Sequence, residues 1–336
     1  MIQRLVLITG GAGFIGRNLC RFLLARGFAV RVLDTAPFEC PELGAVHVMH
    51  GDVRDSRRLD QAMLGVSYVI HAAAASATSA AEETFSTNVA GTWSVLQAVL
   101  RNRVERCVYL SSAAVYGSQS HHLMCESDPL HGAGVDAESK IEAEHLCESA
   151  RLSGVCVSML RLTSVAGPAR RSTLATVYER AFAGKSLPAL GFGRKASQTL
   201  DIEDTCEAIH LCLTRRRELV NDTFNVGARS FATIRETLQA VLDRAGHGKR
   251  VIGMPAGLVM GVVGLLERWL GSARYSWVRE TTGQESFVSV RHIGVKLGFQ
   301  PRYSSAAALA RDYGRYARFR GNPGDIRQTQ GYPRAV

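Results

Sequence analysis

The amino-acid sequence predicts an α/β fold, with a doubly wound parallel sheet in the first half and a smaller, mixed C-terminal domain. Short apolar runs alternate with segments of helical periodicity along the first half, as expected for strands that helices cover on both faces. A glycine-rich turn separates the first predicted strand from the first predicted helix. The 336 residues are 46% apolar and 21% charged, enough apolar material for one large core or two modest ones.

The predicted elements alternate in the order that such a sheet requires. Strands are predicted at residues 5–8, 29–33, 45–49, 67–70, 106–110 and 155–160, with helices at residues 14–26, 82–101 and 136–153. After residue 168, helices separated by turn-rich loops are predicted at residues 173–183, 205–215, 233–244, 256–269 and 305–318. We therefore expect a first domain over residues 1–168 with parts of residues 196–228 packing on it, a second domain mostly over residues 169–320, and a flexible tail over residues 321–336.

Composition and charge exclude several functional classes. No apolar run reaches the roughly 18 residues of a membrane-spanning helix, and no signal peptide is recognisable, so a cytoplasmic location is expected. The net charge is +10, but no basic run or aromatic platform accompanies it, so we expect small anionic ligands and no nucleic-acid partner. The eight cysteines are scattered without metal-ligand spacing, which indicates reduced core thiols and no metal site.

The strongest local signal is the turn between the first strand and the first helix, with glycines at three-residue intervals. Gly10 permits a tight turn, Gly13 allows the backbone to approach a pyrophosphate, and Gly16 lets helix and strand pack closely. The helix that begins at Phe14 and Ile15 offers free N–H groups and the positive end of its dipole to phosphate. This combination predicts a dinucleotide-binding turn.

An acidic residue at the end of the second predicted strand indicates which dinucleotide binds. Asp34 lies about twenty residues after the glycine turn, where a carboxylate can accept a hydrogen bond from a ribose 2′-hydroxyl. The same carboxylate repels a 2′-phosphate, and no arginine follows it directly. The sequence therefore favours NAD over NADP.

Six motifs together resemble the extended short-chain dehydrogenase/reductase family, which includes NAD-dependent sugar-nucleotide epimerases and dehydratases. They are TGGAGFIG at residues 9–16, GDVRD at 51–55, HAAA at 71–74, NVAGT at 88–92, SSAAVYG at 111–117 and LGFQP at 297–301. The resemblance implies a Rossmann-type NAD-binding domain at residues 1–168 and a substrate-binding domain after it. It also implies a homodimer formed through the helices at residues 88–101 and 136–153.

The resemblance assigns roles to individual residues of this chain. Beyond the glycine turn and Asp34, it implies that NAD is held by Asp52, Val53, Ala72, Ala73, Ala74, Asn88, Lys140 and Thr163. The residues implied to contact a small-molecule substrate, a nucleotide sugar, are Ala75, Ser112, Ala113, Ser164 and Arg194.

The implied catalytic set departs from the family pattern at one position. The family uses a serine or threonine together with Tyr-x-x-x-Lys; here the serine is Ser112 and the lysine is Lys140, but Asp136 stands where the tyrosine belongs. The four-residue spacing places Asp136 and Lys140 on one helix face, where they can form an ion pair. Three interpretations stay open. Asp136 can be the base, another group can take its place, or the chain can bind NAD without ordinary turnover. The other candidate groups are Tyr116, His121, His122, Glu126, Asp128 and His131.

The substrate class is indicated by further differences from the family. Ala113 and Ala114 replace the acidic pair of the 4,6-dehydratases, which favours epimerisation or hydroxyl and ketone oxidoreduction at a secondary alcohol. Gln198 and Thr199 replace an arginine and an aspartate common in sugar-nucleotide members, so other basic residues would have to hold a diphosphate. The candidates are Arg170, Arg171, Arg194, Lys195, Arg274 and Arg279. The apolar stretch at residues 255–270 keeps a second possibility open, a hydrophobic, steroid-like alcohol of the 3β-hydroxysteroid dehydrogenase type.

Overall fold

A computed structural model describes residues 3–38, 40, 43–76, 79–117, 123–168, 174–255 and 287–321. The chain forms two compact units. The first comprises Met1–Thr163, Ile202–Gly227 and Val288–Gln300, and the second comprises Ser164–Asp201, Ala228–Phe287 and Pro301–Val336. The chain thus returns to the first unit twice, at Ile202–Gly227 and at Val288–Gln300, whereas the sequence predicts a return only within residues 196–228.

The helices and strands are numbered in chain order. The strands are β1 (Leu5–Thr9), β2 (Ala29–Asp34), β3 (His47–His50), β4 (Tyr68–His71), β5 (Arg106–Ser112), β6 (Val157–Leu162), β7 (Ser164–Ala166), β8 (Pro188–Leu190), β9 (Ala196–Ser197), β10 (Thr199–Asp201), β11 (Thr223–Val226), β12 (Ala232–Thr233) and β13 (Ile252–Met254). The helices are α1 (Phe14–Leu24), α2 (Ser56–Met63), α3 (Ala81–Phe85), α4 (Gly91–Arg101), α5 (Val135–Leu152), α6 (Leu174–Phe182), α7 (Ile202–Thr214), α8 (Arg217–Val220), α9 (Ile234–Ala245), α10 (Arg291–Leu297) and α11 (Ser305–Gly321).

The first unit contains a seven-stranded parallel sheet in the order β11-β6-β5-β4-β1-β2-β3, which confirms the predicted fold class. The strand order reverses direction between β1 and β4, and ligands of doubly wound sheets bind beside such a reversal, at the carboxyl ends of the strands. The core beneath this edge is formed by apolar side chains of the sheet and of α2, α4 and α5. The sheet therefore places the ends of β1, β2, β3 and β4 side by side.

Several elements differ from the sequence-based expectation. The long helix predicted at residues 82–101 is interrupted by a π-helical turn at Ser86–Ala90, between α3 and α4. Helix α2 was not predicted because its sequence is mostly polar, and it begins where the Asp55 carboxylate caps the N–H groups of Arg57 and Arg58. The helix predicted at residues 256–269 and residues 322–336 of the predicted tail lie outside the described residues.

The second unit has a separate core, in which aromatic side chains of α6 and α11 pack with aliphatic side chains of α9. The rings of Tyr178, Tyr313 and Tyr316 lie 5.5 to 6.3 Å apart, centre to centre, and the Tyr178 hydroxyl donates to Asp312. None of the helices in the described part of the chain combines the length and apolar character that a bilayer crossing requires. All eight cysteines lie among the described residues, where none forms a disulfide, and seven of them are buried.

Candidate active site

The glycine turn adopts a conformation that only glycine accommodates. Gly10 has a φ of +72°, and a Cβ there would lie 2.5 Å from the Ala73 nitrogen. A Cβ on Gly16 would lie 2.5 Å from the Gly11 Cα, so the turn packs tightly against the start of α1. Gly13 is the exposed N-cap of α1 and has no side chain to cap it. The first N–H groups of α1 can therefore hydrogen-bond a phosphate.

A cavity of about 360 Å³ lies along the carboxyl ends of β1 to β4. Nine of the predicted site residues line it, including one expected to contact substrate: Gly10, Gly13, Asp34, Asp52, Val53, Ala72, Ala73, Ala74 and Ala75. Its size and its position at the reversal of strand order suit part of an extended nucleotide. Phe14, Ile15, Gly16, Asn88, Lys140 and Thr163 are not among the lining residues.

Sequence reasoning did not assign ten further lining residues. They are Ala12, Leu33, Thr35, Ala36, Gly51, Arg54, Ser76, Ser79, Glu83 and Thr87. Those that directly follow β2 and β3 could have been found from strand ends alone, because parallel strands end at the same edge. Ser79, Glu83 and Thr87 belong to α3 and its flanking turns, which only the tertiary structure brings to the cavity.

Asp34 is held rigidly at the wall of the cavity. One of its carboxylate oxygens accepts a hydrogen bond from the Ala12 N–H, and the other accepts from the Ala36 N–H, both at 2.8 Å. The carboxylate therefore links the glycine turn to the end of β2. Each oxygen retains acceptor capacity for a further donor, such as a ribose hydroxyl.

His71 at the end of β4 is a structural, neutral histidine. Its Nδ1 lies 2.7 Å from the Thr9 Oγ1, and its Nε2 lies 3.0 Å from the Thr92 Oγ1. Because Thr92 donates to the Asn88 carbonyl oxygen, His71 must donate through Nε2 and accept from Thr9. Burial and then the charge of Lys140 lower the pKa of His71 to about 3. This buried series of hydrogen bonds, from Thr9 through His71 to Thr92, fixes the end of β4, which Ala72 follows.

Asn88 connects the cavity wall to the helix that bears the implied catalytic residues. It lies on the π-helical turn and is buried. Its Oδ1 accepts from the Ala75 N–H at 2.9 Å, and its Nδ2 donates to the Ser139 hydroxyl at 2.9 Å. Ser139 in turn donates to the carbonyl oxygen of Asp136. Both ends of the Asn88 amide are thus engaged with the protein, which positions α5 relative to Ala75.

The three implied catalytic residues occupy the end of β5 and the first two turns of α5. Ser112 is partly exposed, and its hydroxyl accepts from the Ala114 N–H. Asp136 is exposed, whereas Lys140 is buried and donates to the Leu110 carbonyl oxygen at 3.3 Å. In the described part of the chain, the ion pair that the spacing of Asp136 and Lys140 allows is not formed, and the Lys140 ammonium lies 5.3 Å from the centre of the Tyr109 ring. Burial lowers the pKa of Lys140, and the charge of Asp136 offsets part of this effect.

The structure removes Tyr116 from the alternative proton acceptors. Its hydroxyl is buried, donates to the Asn225 Oδ1 at 2.7 Å and accepts from Arg161. Burial raises the pKa of Tyr116 to about 12, against the opposing effect of Arg161. One oxygen of Glu126 accepts from the Asn225 N–H, and His131 is exposed. Asp128 accepts from the Cys125 N–H, and His121 and His122 lie outside the described residues.

A buried ion pair supports the strand ends that carry Ser112. Glu144 on α5 accepts from the guanidinium of Arg161 on β6, with the shortest contact at 2.7 Å, and from the Ser111 hydroxyl at 2.5 Å. The side chains of Glu144 and Arg161 are 1% and 5% exposed. Burial disfavours the charge of Arg161, but the hydrogen bonds to Glu144 outweigh it, so the pKa of Arg161 lies above its ordinary value. The pair joins α5, β5 and β6.

Thr163 and the residues of the second unit complete the set of predicted site residues. Thr163 follows β6, and its hydroxyl is buried without a hydrogen-bond partner among the described residues, so it is available to a bound group. In the second unit, Ser164 is exposed on β7, and the exposed Arg194 guanidinium lies 5.8 Å from the centre of the Phe192 ring. Gln198, at the position of the family's arginine, is buried, and its Nε2 donates to the Ala228 carbonyl oxygen.

The remaining candidate arginines Arg170, Arg171, Arg274 and Arg279 lie outside the described residues. Within the described ranges, no group of three or more histidines, cysteines or carboxylates is arranged to hold a metal ion.

Comparisons with known proteins agree with this geometry. The model of the NAD dependent epimerase/dehydratase family matches residues 6–227. The chain is 28% identical over 319 residues to the uncharacterized protein y4nG of Sinorhizobium fredii, covering 94% of this chain and 79% of that protein. A UDP-glucose 4-epimerase of Thermus thermophilus in complex with NAD superposes with a TM-score of 0.74 at 26% identity, covering 94% of this chain and 99% of that one. A dTDP-glucose 4,6-dehydratase of Streptomyces venezuelae, with NAD bound, superposes with a TM-score of 0.76 at 26% identity, covering 94% of this chain and 98% of that one.

Proposed function

The chain belongs to the NAD-dependent epimerase/dehydratase family, and we propose that it is an enzyme that uses NAD to interconvert a secondary alcohol and a ketone on a sugar nucleotide. The observation that carries this proposal is the cavity of the first unit, where the Gly10–Gly13 turn and the Asp34 carboxylate line one wall. NAD, when bound, supplies the acceptor and donor for a hydride. Epimerisation or simple oxidoreduction is the favoured outcome, because Ala113 and Ala114 provide no acid for dehydration.

The residues present fit this dinucleotide. The exposed start of α1 at Gly13 suits a pyrophosphate, and the Asp34 carboxylate has capacity for a ribose hydroxyl. At the other end of the sheet edge, the Thr163 hydroxyl is buried and lacks a partner within the described ranges. Such an orphaned hydroxyl is costly unless a bound group satisfies it.

We assign the proton-transfer roles to Ser112, Asp136 and Lys140. Ser112 would hydrogen-bond the reacting oxygen, and the exposed Asp136 carboxylate would accept the proton of the substrate hydroxyl, directly or through one water. Lys140 would contribute positive charge near the reacting centre. Supporting this choice, Asp136 is exposed at the start of α5, whereas Tyr116 is buried and held by two hydrogen bonds.

We assign substrate recognition to the second unit, with Ser164 and Arg194 as the residues that the family pattern and their exposure favour. The decisive experiment incubates the purified protein and NAD with UDP-, dTDP- and GDP-sugars and follows the sugar by NMR. Turnover of at least one nucleotide sugar is expected. NAD binding with neither turnover nor thermal stabilisation by any of these compounds would contradict the sugar-nucleotide assignment, since a ligand of the folded state raises stability.

The carboxylate of Asp34 makes cofactor preference testable. Asp34→Ala removes both the acceptor for the ribose 2′-hydroxyl and the charge that repels a 2′-phosphate. We expect NAD to bind about tenfold more weakly and the NAD-over-NADP preference to fall by about two orders of magnitude, measured by calorimetric titration of both dinucleotides. Asp60→Ala is the matched control, since Asp60 is an exposed carboxylate paired with Arg101 elsewhere on the same unit. An unchanged preference in Asp34→Ala would exclude Asp34 as the determinant.

We further propose that the protein is a homodimer through α4 and α5, as the family resemblance implies. Trp93 and Leu100 on the outer face of α4 are 52% and 44% exposed, which is unusual for such large apolar side chains. Light scattering should give twice the chain mass of 36.5 kDa, and Trp93→Glu should give monomers. Val295→Glu, at an 80%-exposed valine on α10, should leave the dimer intact. A monomeric wild-type protein would overturn the proposal.

A further inference from the structure

Arg54 makes a dense set of hydrogen bonds at the end of the cavity beside β3. Its backbone N–H and its guanidinium both donate to the Asp52 carboxylate, the shortest contact being 2.6 Å from Nη2 to Oδ2. Its Nη1 donates to the Glu83 carboxylate at 3.2 Å and to the Ser86 hydroxyl at 3.0 Å. Arg54 therefore ties the segment after β3 to α3 and its following turn, and Asp52, Arg54 and Glu83 all line the cavity.

The strand order indicates which part of a dinucleotide reaches this end. The glycine turn follows β1, Asp34 ends β2, and the neighbouring strand on that side is β3. A pyrophosphate at the turn and a ribose at Asp34 therefore direct the attached base toward the segment after β3, which contains Asp52. This step rests on the proposed binding of NAD in the cavity.

Arg54 leaves the Asp52 carboxylate able to accept one more hydrogen bond. A carboxylate has about four acceptor positions, and the Arg54 Nε is shared between its two oxygens. The Asp52 side chain is 33% exposed, so a donor in the cavity can approach it. The hydrogen bonds from Arg54 outweigh the opposing effect of burial and lower the pKa of Asp52, which keeps it an acceptor.

We propose that Arg54 is a positioning residue for the base of the cofactor: it orients the Asp52 carboxylate to accept a hydrogen bond from the exocyclic amino group of adenine. Arg54 itself is restrained by Glu83, whose other oxygen accepts from the Thr87 hydroxyl at 3.2 Å. The network thereby selects adenine over a base that presents a carbonyl oxygen at the same position, because two acceptors facing each other cannot hydrogen-bond.

The test compares NAD with nicotinamide hypoxanthine dinucleotide, in which a carbonyl oxygen replaces the amino group. Calorimetric titration of the wild-type protein should show about a tenfold preference for NAD. Arg54→Ala should reduce this preference to about twofold, and Arg54→Lys, which retains the charge but not the planar fork, should be intermediate. Arg57→Ala is the matched control: Arg57 is an exposed arginine at the start of α2 whose backbone N–H, not its side chain, binds Asp55.

The outcomes separate this inference from the proposed function. A fall in preference for Arg54→Ala but not for Arg57→Ala supports the positioning role. An equal weakening of both dinucleotides by Arg54→Ala, with the tenfold preference retained, overturns it and indicates a merely structural residue. If Arg54→Ala does not fold, Arg54→Lys decides, and an unchanged preference there contradicts the inference. Failure of the wild-type protein to bind NAD would instead overturn the proposed function, and this inference with it.

Discussion

Asp136→Ala is expected to lower the kcat of the proposed sugar-nucleotide reaction by about 10²- to 10⁴-fold, the usual contribution of a positioned proton acceptor. The physical reason is that Asp136 is an exposed carboxylate at the position of the family's tyrosine, four residues before Lys140, whereas Tyr116 is buried and held by two hydrogen bonds. NAD affinity should stay within about twofold, because the Asp136 side chain does not line the cavity. Turnover by NMR and calorimetric titration with NAD measure the two quantities separately.

Two further variants of α5 are needed to interpret the activity of Asp136→Ala. Glu142→Ala alters an exposed carboxylate on the same helix, whose ion-pair contact is a 3.8 Å approach to His145, and should leave kcat unchanged. Asp136→Tyr restores the phenol of the family pattern beside Lys140. If the alanine variant is as active as the wild type, Asp136 is not the base. Activity that appears only in the tyrosine variant would mean that this position is disabled in the natural chain.

Glu144→Ala should destabilise the protein by about 3–5 kcal/mol, because it leaves the Arg161 guanidinium buried without its carboxylate. The loss is expected to be large since the pair is nearly inaccessible to water and also binds the Ser111 hydroxyl. The change in the free energy of unfolding can be measured by urea denaturation, followed by circular dichroism and by tryptophan fluorescence to check that the transitions coincide.

A second substitution separates the effect of the Glu144 charge on the free energy of unfolding from the effect of its packing. Glu144→Gln preserves the shape and one acceptor, so it should cost less than the alanine variant. Glu142 lies two residues earlier on α5 and is exposed, so Glu142→Ala should change the free energy of unfolding by less than about 0.5 kcal/mol. A loss below about 1 kcal/mol for Glu144→Ala would show that the buried pair contributes little to the fold.

The sequence predicts six of the seven strands of the sheet, because each contains a short apolar run and helical segments separate most of these runs. It does not reveal β11, whose four residues Thr223–Val226 include the buried polar Asn225. That strand is held by pairing with β6, more than sixty positions earlier in the chain, and by the Asn225 contacts to Tyr116 and Met124. Local periodicity carries no information about such distant partners.

In the candidate site, too, some features were predictable from the sequence and others depend on contacts between distant segments. The Gly10–Gly13–Gly16 turn and Asp34 were recognisable because their chemistry depends on residue type at short spacing. The ion pair that the spacing of Asp136 and Lys140 allows is not formed among the described residues, since helical spacing brings two side chains to one face but does not determine the hydrogen-bond partner of each. Lys140 instead donates to the Leu110 carbonyl oxygen, a group from a different strand.

By itself, the sequence predicted the fold class, a glycine turn suited to phosphate and an acidic residue that favours NAD, because each depends on residue types at short spacing along the chain. Only the tertiary structure decided that His71 is a neutral link between Thr9 and Thr92 and that Tyr116 is unavailable as a base. It also decided that Arg54 joins Asp52 to Glu83 at the cavity. These properties follow from burial and from hydrogen bonds between segments distant in sequence, and neither quantity exists until the strands of the sheet have paired.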